Sequence, residues 1–175
     1  MGRSRDLADG SYIADGSITQ ADLASGVAGT GPAFSAYSSA NQFPSNGTYT
    51  KVIFGTEVFD TNNCFSSSTF TPNVAGYYQV SASISMAADT GMTAGFILFY
   101  KNGASTLANI GSNDTGAANT VGYYVMTASG LVYMNGSTDY LEVYGLIVGT
   151  GTNRYFFLSQ STNPTVFTGV LVRAA

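Results

Sequence analysis

The sequence predicts an all-β fold, a sandwich or barrel of short antiparallel strands, preceded by a short N-terminal arm. Residues 70–86, FTPNVAGYYQVSASISM, contain a turn followed by strict alternation of apolar and polar side chains. Such alternation is typical of a strand with one buried face and one solvated face. Further strand-like segments follow at short intervals, separated by Asn- and Gly-rich turns, which is the pattern of a sandwich or barrel.

The strand within residues 70–86 is the one around which we expect the rest to pack. Its predicted buried face carries Tyr78, Val80, Ala82, Ile84 and Met86. Its predicted solvated face carries Gln79, Ser81, Ser83 and Ser85. The turn before it lies between Pro72 and Gly76, residues suited to fixed and to unusual backbone angles, respectively.

Two strands are predicted before this one, at residues 33–39 and 51–60, with a turn-rich loop over residues 41–50. Residues 61–68 are predicted to form a polar loop that carries Cys64. Because Cys64 is the sole cysteine, no intrachain disulfide can form. We expect Cys64 to behave as a small buried hydrophobic residue.

The remaining strands are predicted downstream, and several of them are apolar on both faces. They are residues 94–101, 107–110, 121–127, 131–134, 139–148, 154–159 and 166–172. Asn102-Gly103 is a strong hairpin signal between the first two. Because one face of a lone sandwich sheet meets water, strands apolar on both faces suggest burial between subunits.

The composition argues against nucleic acids and membranes as partners. Only 9% of the 175 residues are charged, against about 25% in ordinary soluble domains, and the net charge is −4. The six basic residues are scattered, so we expect no nucleic-acid partner. No apolar run approaches 18 residues, and the first ten residues lack the apolar core of a secretory signal, so we expect no membrane insertion and synthesis in a cytoplasm.

The first 32 residues differ from the rest and are predicted to be an anchoring arm, with residues 33–175 forming the head. The unit ADGS occurs twice in the arm, and a capping box at residues 17–20 predicts a two-turn helix that ends at residues 25–26. Because so short a helix is marginal alone, we expect it to dock on a partner. The candidate anchor side chains are Leu7, Ile13, Ile18, Leu23 and Val27.

Residues 33–175 resemble the complement C1q-type globular head, which is related to tumour necrosis factor. The resemblance lies in GPAFSAY, TKVIFGTEVFD, FTPNVAGYYQV, FYKNG and FTGVLV. Gly76 matches the family's turn glycine, Tyr78 its core aromatic residue, and Phe167-x-Gly169-x-Leu171 its closing strand. The resemblance implies a ten-stranded jelly roll that assembles as a tight homotrimer. Val80 and Ala82 stand where the family usually has aromatic residues, so no ligand or calcium site is transferred.

The arm resembles segments of bacteriophage tail-fibre proteins, in which ADGSI-like and TQADLASGV-like stretches precede trimeric tips. This resemblance implies a virion protein, assembled in the host cytoplasm and located on the phage particle. Residues 1–32 would anchor it to another virion structural protein. The head would then form a trimeric fibre or knob that attaches to the host surface.

The residue types argue against most catalytic chemistry. There is no His and only one Cys, which excludes imidazole catalysis and thiolate zinc sites. We therefore expect that the protein is not an enzyme and binds no cofactor. Asp139 and Glu142 are three apart on a predicted strand and therefore face opposite sides, as do Glu57 and Asp60. A glycosidase would need a carboxylate pair assembled across strands or subunits.

Polar loops are the candidate recognition elements, since their amide and hydroxyl groups lie beside Tyr residues and suit a host-surface glycan. The candidates are Asn62, Asn63, Asp89, Asn113, Asp114 and Asn119. The same loops could be ordinary solvated turns, and Asp114 could alternatively ligate calcium. Two further functions stay open at this stage: a purely structural head-decoration or fibre protein of the capsid, and a glycosidase with an intersubunit site.

Overall fold

A computed structural model describes residues 31–107, 113–114, 124–158 and 164–175. Within these ranges the protein consists of two antiparallel sheets and contains no helix, which confirms the predicted all-β fold. The helix predicted over residues 17–26 and the five candidate anchor residues lie outside the described residues. The proposed boundary between arm and head therefore stays a prediction.

Thirteen strands are present in the described ranges. In chain order they are β1 (Ala33–Tyr37), β2 (Thr50–Lys51), β3 (Thr56–Asp60), β4 (Phe65–Ser66), β5 (Thr69–Phe70), β6 (Ala75–Ala88), β7 (Met92–Lys101), β8 (Ala104–Leu107), β9 (Asn113–Asp114), β10 (Tyr124–Asn135), β11 (Leu141–Gly149), β12 (Arg154–Phe156) and β13 (Val166–Ala174). Sheet A has the order β10-β6-β13-β1-β3, with β12 also paired to β6. Sheet B has the order β4-β5-β11-β7-β8, with β2 paired to β11 and β9 to β7.

Strand β6 is the centre of sheet A, as its sequence pattern predicts. It is the longest strand, with 14 residues, and it pairs with β10 along one side and with β13 and β12 along the other. The five side chains predicted to face the core, Tyr78 to Met86, are each at most 2% exposed.

The predicted solvated face of β6 is solvated along only half of its length. Gln79 and Ser81 are exposed, but Ser83 and Ser85 are buried. The chain just before β13 explains the difference, because Ser83 Oγ donates a hydrogen bond to the Pro164 carbonyl and Thr165 Oγ1 accepts one from the Ser85 amide. Small serine side chains allow this close approach.

Residues 51–60 were predicted as one strand, and this prediction is wrong. The segment starts in sheet B as β2 and ends in sheet A as β3, and residues 52–55 cross between the sheets. Val52 and Phe54 point into the core during the crossing and are 1% and 3% exposed. The crossing is possible because Val143 O accepts from the Val52 amide and Ser68 Oγ from the Phe54 amide.

Residues 121–127 and 131–134 were predicted as two strands, and the described part of this region is one strand instead. Strand β10 runs unbroken over 12 residues because β6 offers an equally long edge, from Met86 opposite Tyr124 to Ala75 opposite Asn135. The predicted return strand at residues 107–110 begins earlier, at Ala104, directly after the two-residue turn.

The hairpin turn itself is as predicted. Asn102 and Gly103 have φ values of 54° and 80°, the left-handed conformation that Asn-Gly adopts in tight hairpins.

An aromatic cluster fills the space between the sheets. Phe34 of β1 stacks on Phe65 and on Phe70, both at 4.6 Å between ring centroids, and meets Phe167 of β13 edge-on at 4.8 Å. All four rings are at most 4% exposed. Gly169 permits this packing, since a Cβ there would lie 2.6 Å from the Phe34 ring. This cluster joins the first and last strands of the head.

Candidate functional site

The most distinctive surface of the head is the outer face of sheet A, which carries large apolar side chains that are exposed in the single chain. Six large side chains on it are each between 43% and 53% exposed: Phe59, Tyr77, Leu131, Tyr133, Val170 and Val172. They come from four strands, β3, β6, β10 and β13. We call this set of six residues the apolar face.

Strand register brings these residues together. Gln79 of β6 lies opposite Leu131 of β10 on one side and Val170 of β13 on the other. In the next row Tyr77 lies opposite Tyr133, and their rings meet edge-on at 5.4 Å. Cross-strand partners share one side of a sheet, so these pairs form a continuous surface.

The apolar face is uneven. One hollow of about 250 Å³ lies above the backbone of Gly169, and its lining includes Phe34, Phe59 and Val170. A second hollow of about 330 Å³ lies between Tyr77, Leu131 and Val172, with Arg173 at its margin. Such hollows can accept side chains from an opposing surface.

The size of the apolar face matches a subunit interface. From the exposed fractions, the six side chains leave roughly 500 Å² of largely apolar area in contact with water. Interfaces are about 60% apolar, so this corresponds to roughly 800 Å², one partner's share of a standard interface. The low charge of the chain is consistent with such a surface.

Asn62 and Asn63, two predicted recognition residues, lie in the loop between β3 and β4. Asp60 organises this loop by accepting hydrogen bonds from the amides of Asn62 and Phe65. Burial raises the pKa of Asp60, but these bonds and those from Cys64 outweigh it, so the pKa is lowered. Cys64 is buried, as predicted, and burial raises the pKa of its thiol. Asn63 has a φ of 51°, a left-handed conformation that favours Asn.

Asp89 lies at the opposite end of the head. It accepts hydrogen bonds from the Thr90 amide, the Thr152 hydroxyl and the Asn153 side-chain amide, and so holds the turns at residues 89–91 and 149–153 together. The pKa of Asp89 is lowered, because these hydrogen bonds outweigh the opposing effect of burial. Arg154 connects the turn at residues 149–153 to the loop before β2, by donating to the Gly149 carbonyl and to Asn46 Oδ1.

Two of the predicted recognition residues, Asn62 and Asp89, lie far apart. The Asn62 carbonyl accepts a hydrogen bond from Asn73, just before β6, whereas Asp89 follows the last residue of that strand. Fourteen extended residues separate the two positions by about 40 Å. Asn113 and Asp114 form β9, which pairs with Gly95 and Ala94.

Two of the predictions on these loops stay untested. Asn119 lies outside the described residues. The calcium alternative for Asp114 stays a prediction, and the described ranges contain no group of three carboxylate or thiol side chains placed to hold a metal ion.

The carboxylates considered for a glycosidase are engaged in two separate ion pairs. Asp139 Oδ2 lies 2.7 Å from Lys101 Nζ, and Glu142 Oε1 lies 2.7 Å from Lys51 Nζ. The hydrogen bond from Lys101 lowers the pKa of Asp139 against the effect of burial, with further support from Asn102 and the Asn135 amide. Asp139 thereby connects the turns at residues 102–103 and 135–139, so its role is structural.

Sequence reasoning did not identify the apolar face as a site. The available signal was the run 131–134, LVYM, which is apolar on both faces and was attributed to subunit burial in general terms. The residues around it could not be assigned, because they come from strands up to about 110 positions apart that only the register brings together.

Sequence comparisons and structural comparisons give different results. No family model matches the chain, and no curated protein matches it in sequence. Within the described ranges no helix has the length and apolar character needed to cross a bilayer.

Several solved structures share the fold. The globular domain of zebrafish complement 1qA is 18% identical, with a TM-score of 0.53, covering 82% of this chain and 99% of that one. Murine APRIL is 12% identical, with a TM-score of 0.54, covering 81% and 98%. The Eiger TNF of S. frugiperda is 12% identical, with a TM-score of 0.54, covering 82% and 93%. The head therefore has the C1q/TNF-like jelly-roll fold that its sequence resemblance implies.

Proposed function

We propose that this chain is the subunit of a homotrimeric, non-enzymatic adhesive protein of a bacteriophage particle. The observation that supports a trimer is the apolar face of sheet A. Its residues Leu131, Tyr133 and Val170 are about half exposed in the single chain. A second and third copy of the same chain are the partners that cover it. Because a ring of three copies joins different parts of this face, projecting rings such as Tyr133 meet hollows such as that over Gly169.

The arm supports the virion role. Its ADGS units and its TQADLASGV segment are similar to phage tail-fibre sequences, and we propose that residues 1–32 bind another virion structural protein. The head continues from the arm at Pro32, whose carbonyl accepts a hydrogen bond from Leu171, and at Ala33, whose carbonyl accepts one from Thr61. The arm therefore joins the head at the Asn62 end, and the Asp89 end projects outward.

A binding role fits the polar chemistry better than a hydrolytic one. Asp60, Asp89 and Asp139 each accept several hydrogen bonds that hold loops in place. Glu142 is paired with Lys51 on another part of the surface. A glycosidase needs two carboxylates that converge on one bond, and these four are dispersed over separate structural roles.

Adsorption to host cells tests the adhesive role. Labelled full-length trimer is added to candidate host cells, and binding is measured with and without phage as competitor. Saturable binding that competes with infection is expected. A stable trimer that does not adsorb would instead favour the capsid-decoration alternative, in which deletion of residues 1–30 abolishes incorporation but leaves host adsorption of the particle unchanged.

Release of reducing sugar from host polysaccharide tests the remaining alternative. No turnover is expected from the trimer. Turnover that is lost in Glu142→Gln or Asp139→Asn would overturn the non-enzymatic assignment.

A further inference from the structure

A second surface, on the outer face of sheet B, combines aromatic rings with an ion pair. Tyr100 of β7 stacks on Tyr144 of β11, with ring centroids 4.1 Å apart and planes inclined by 29°. Tyr49, which precedes β2 and is 40% exposed, approaches Tyr100 at 6.3 Å. Lys51 and Glu142 lie directly beside these rings, since Glu142 pairs with Tyr100 and Lys51 with Tyr144 in the sheet. We call these five residues the tyrosine site.

Glu142 accepts hydrogen bonds from three side chains at the tyrosine site. Its Oε1 accepts hydrogen bonds from Lys51 Nζ at 2.7 Å and from Thr69 Oγ1 at 3.2 Å. Its Oε2 accepts one from the Tyr144 hydroxyl at 3.4 Å. Burial and the neighbouring Glu142 raise the pKa of Tyr144, so its hydroxyl stays protonated and the Glu142 charge is held in place. The carboxylate and the ammonium are only 13% and 27% exposed, which fixes both groups in position.

Several hydrogen-bonding groups of the tyrosine site have no partner among the described residues, and they could bind a ligand. Lys51 Nζ has three donors, of which two reach Glu142 and Thr69. Within the described part of the chain, no hydrogen bond engages the hydroxyls of Tyr49 or Tyr100. Stabilising the sheet requires the ring stacking and the ion pair, but it does not require donors and acceptors that lack a partner among the described residues and lie beside an exposed ring.

We propose that the tyrosine site binds a pyranose unit of a neutral host-surface glycan, and this inference rests on the adhesive role proposed above. A sugar ring presents apolar C–H faces and a rim of hydroxyls. The Tyr49 ring supplies an apolar surface, while Lys51 and the tyrosine hydroxyls supply hydrogen bonds at its edge. Because the Lys51 and Glu142 charges cancel and the chain carries a net charge of −4, the site suits a neutral sugar better than an acidic one.

The location of the tyrosine site agrees with the proposed assembly. The apolar face belongs to sheet A, whereas the tyrosine site lies on the outward side of sheet B. In a trimer closed through sheet A, the three tyrosine sites therefore remain on the flanks and open to solvent. Three sites on one trimer raise the overall affinity for a repeating polysaccharide, even when a single site is weak.

A glycan array followed by saturation-transfer NMR tests the inference with the full-length protein. Magnetisation transferred from tyrosine ring protons identifies a bound neutral glycan, and titration gives its affinity. Tyr49→Ala is expected to weaken that affinity about tenfold, because it removes the exposed stacking ring. Tyr100→Phe keeps the stack with Tyr144 but removes one of the available hydroxyls, and it is expected to weaken binding about threefold to tenfold.

Phe43→Ala is the matched control, since Phe43 is an exposed aromatic residue, 68% exposed, that packs on Tyr155 rather than on the tyrosine site. Unchanged affinity is expected. Equal losses in Tyr49→Ala and Phe43→Ala, or no array glycan bound by the wild-type protein, would overturn the inference. If the wild-type protein adsorbs to host cells and Tyr49→Ala adsorbs equally well, the tyrosine site is wrong but the adhesive role stands; if neither adsorbs, the adhesive role itself fails.

Discussion

Replacing Val170 by Lys is the most direct way to separate assembly from folding. Val170 is 46% exposed in the single chain and lies near the middle of the apolar face, with Gln79 and Ala33 as its cross-strand neighbours. In an isolated head, a lysine at this half-exposed position can extend its ammonium into water. We therefore expect the free energy of unfolding of the isolated head to change by no more than about 0.5 kcal/mol.

The same lysine has a large effect in the assembly. In the trimer its ammonium would be buried without a partner, at a cost of about 3 kcal/mol per subunit and about 9 kcal/mol for three. That lowers the trimer association constant by about 10⁶-fold. The concentration of half-assembly depends on the square root of this constant, so it rises by about three orders of magnitude.

Analytical ultracentrifugation at micromolar concentration distinguishes the outcomes. The wild-type chain is expected to sediment as a trimer and Val170→Lys as a folded monomer with unchanged far-ultraviolet circular dichroism. Ile53→Lys is the control, because Ile53 is 49% exposed but lies in the segment that crosses between the sheets. A trimer in Val170→Lys, or a monomer in the wild type, would refute assembly through the apolar face.

Three further predictions concern the folded head. Phe167→Ala removes a fully buried ring and should lower the free energy of unfolding by about 3–5 kcal/mol in chemical denaturation; a loss below about 1 kcal/mol would contradict the central place of the aromatic cluster. Because the folded-state pKa of Asp139 is lowered, its stabilising effect is complete above its unfolded pKa of 3.8 and is lost as the pH falls through the folded value. Unfolding measured between about pH 2 and 6 should therefore show a shallower acid-side slope in Asp139→Asn than in the wild type, and equal slopes would argue against the ion pair with Lys101. Cys64 should resist a thiol reagent at pH 8 until denaturant is added, since it is 3% exposed and burial raises its pKa; rapid labelling of the native protein would disprove this packing.

The candidate recognition residues show how much of a binding site can be predicted from the sequence. Asn62 and Asp89 were grouped by residue type, and residue type does identify polar loops. Their separation by the length of β6 follows from the direction of that strand, which places one loop beside the first residue of β1 and the other at the far end. The tyrosine site is a similar case, since its ion pair joins residues 91 positions apart.

Local physics explains what the sequence by itself determined. Alternation with period two specified β6 and its buried face, and the backbone preference of Asn102-Gly103 specified a hairpin, because both effects act between neighbouring residues. Tertiary structure alone decided that residues 52–55 leave one sheet for the other, that Ser85 is covered, and that the apolar face and the tyrosine site exist. Each of these depends on which strand edges pair and in what register, and that choice is made by burial summed over the whole core rather than by any single stretch of chain.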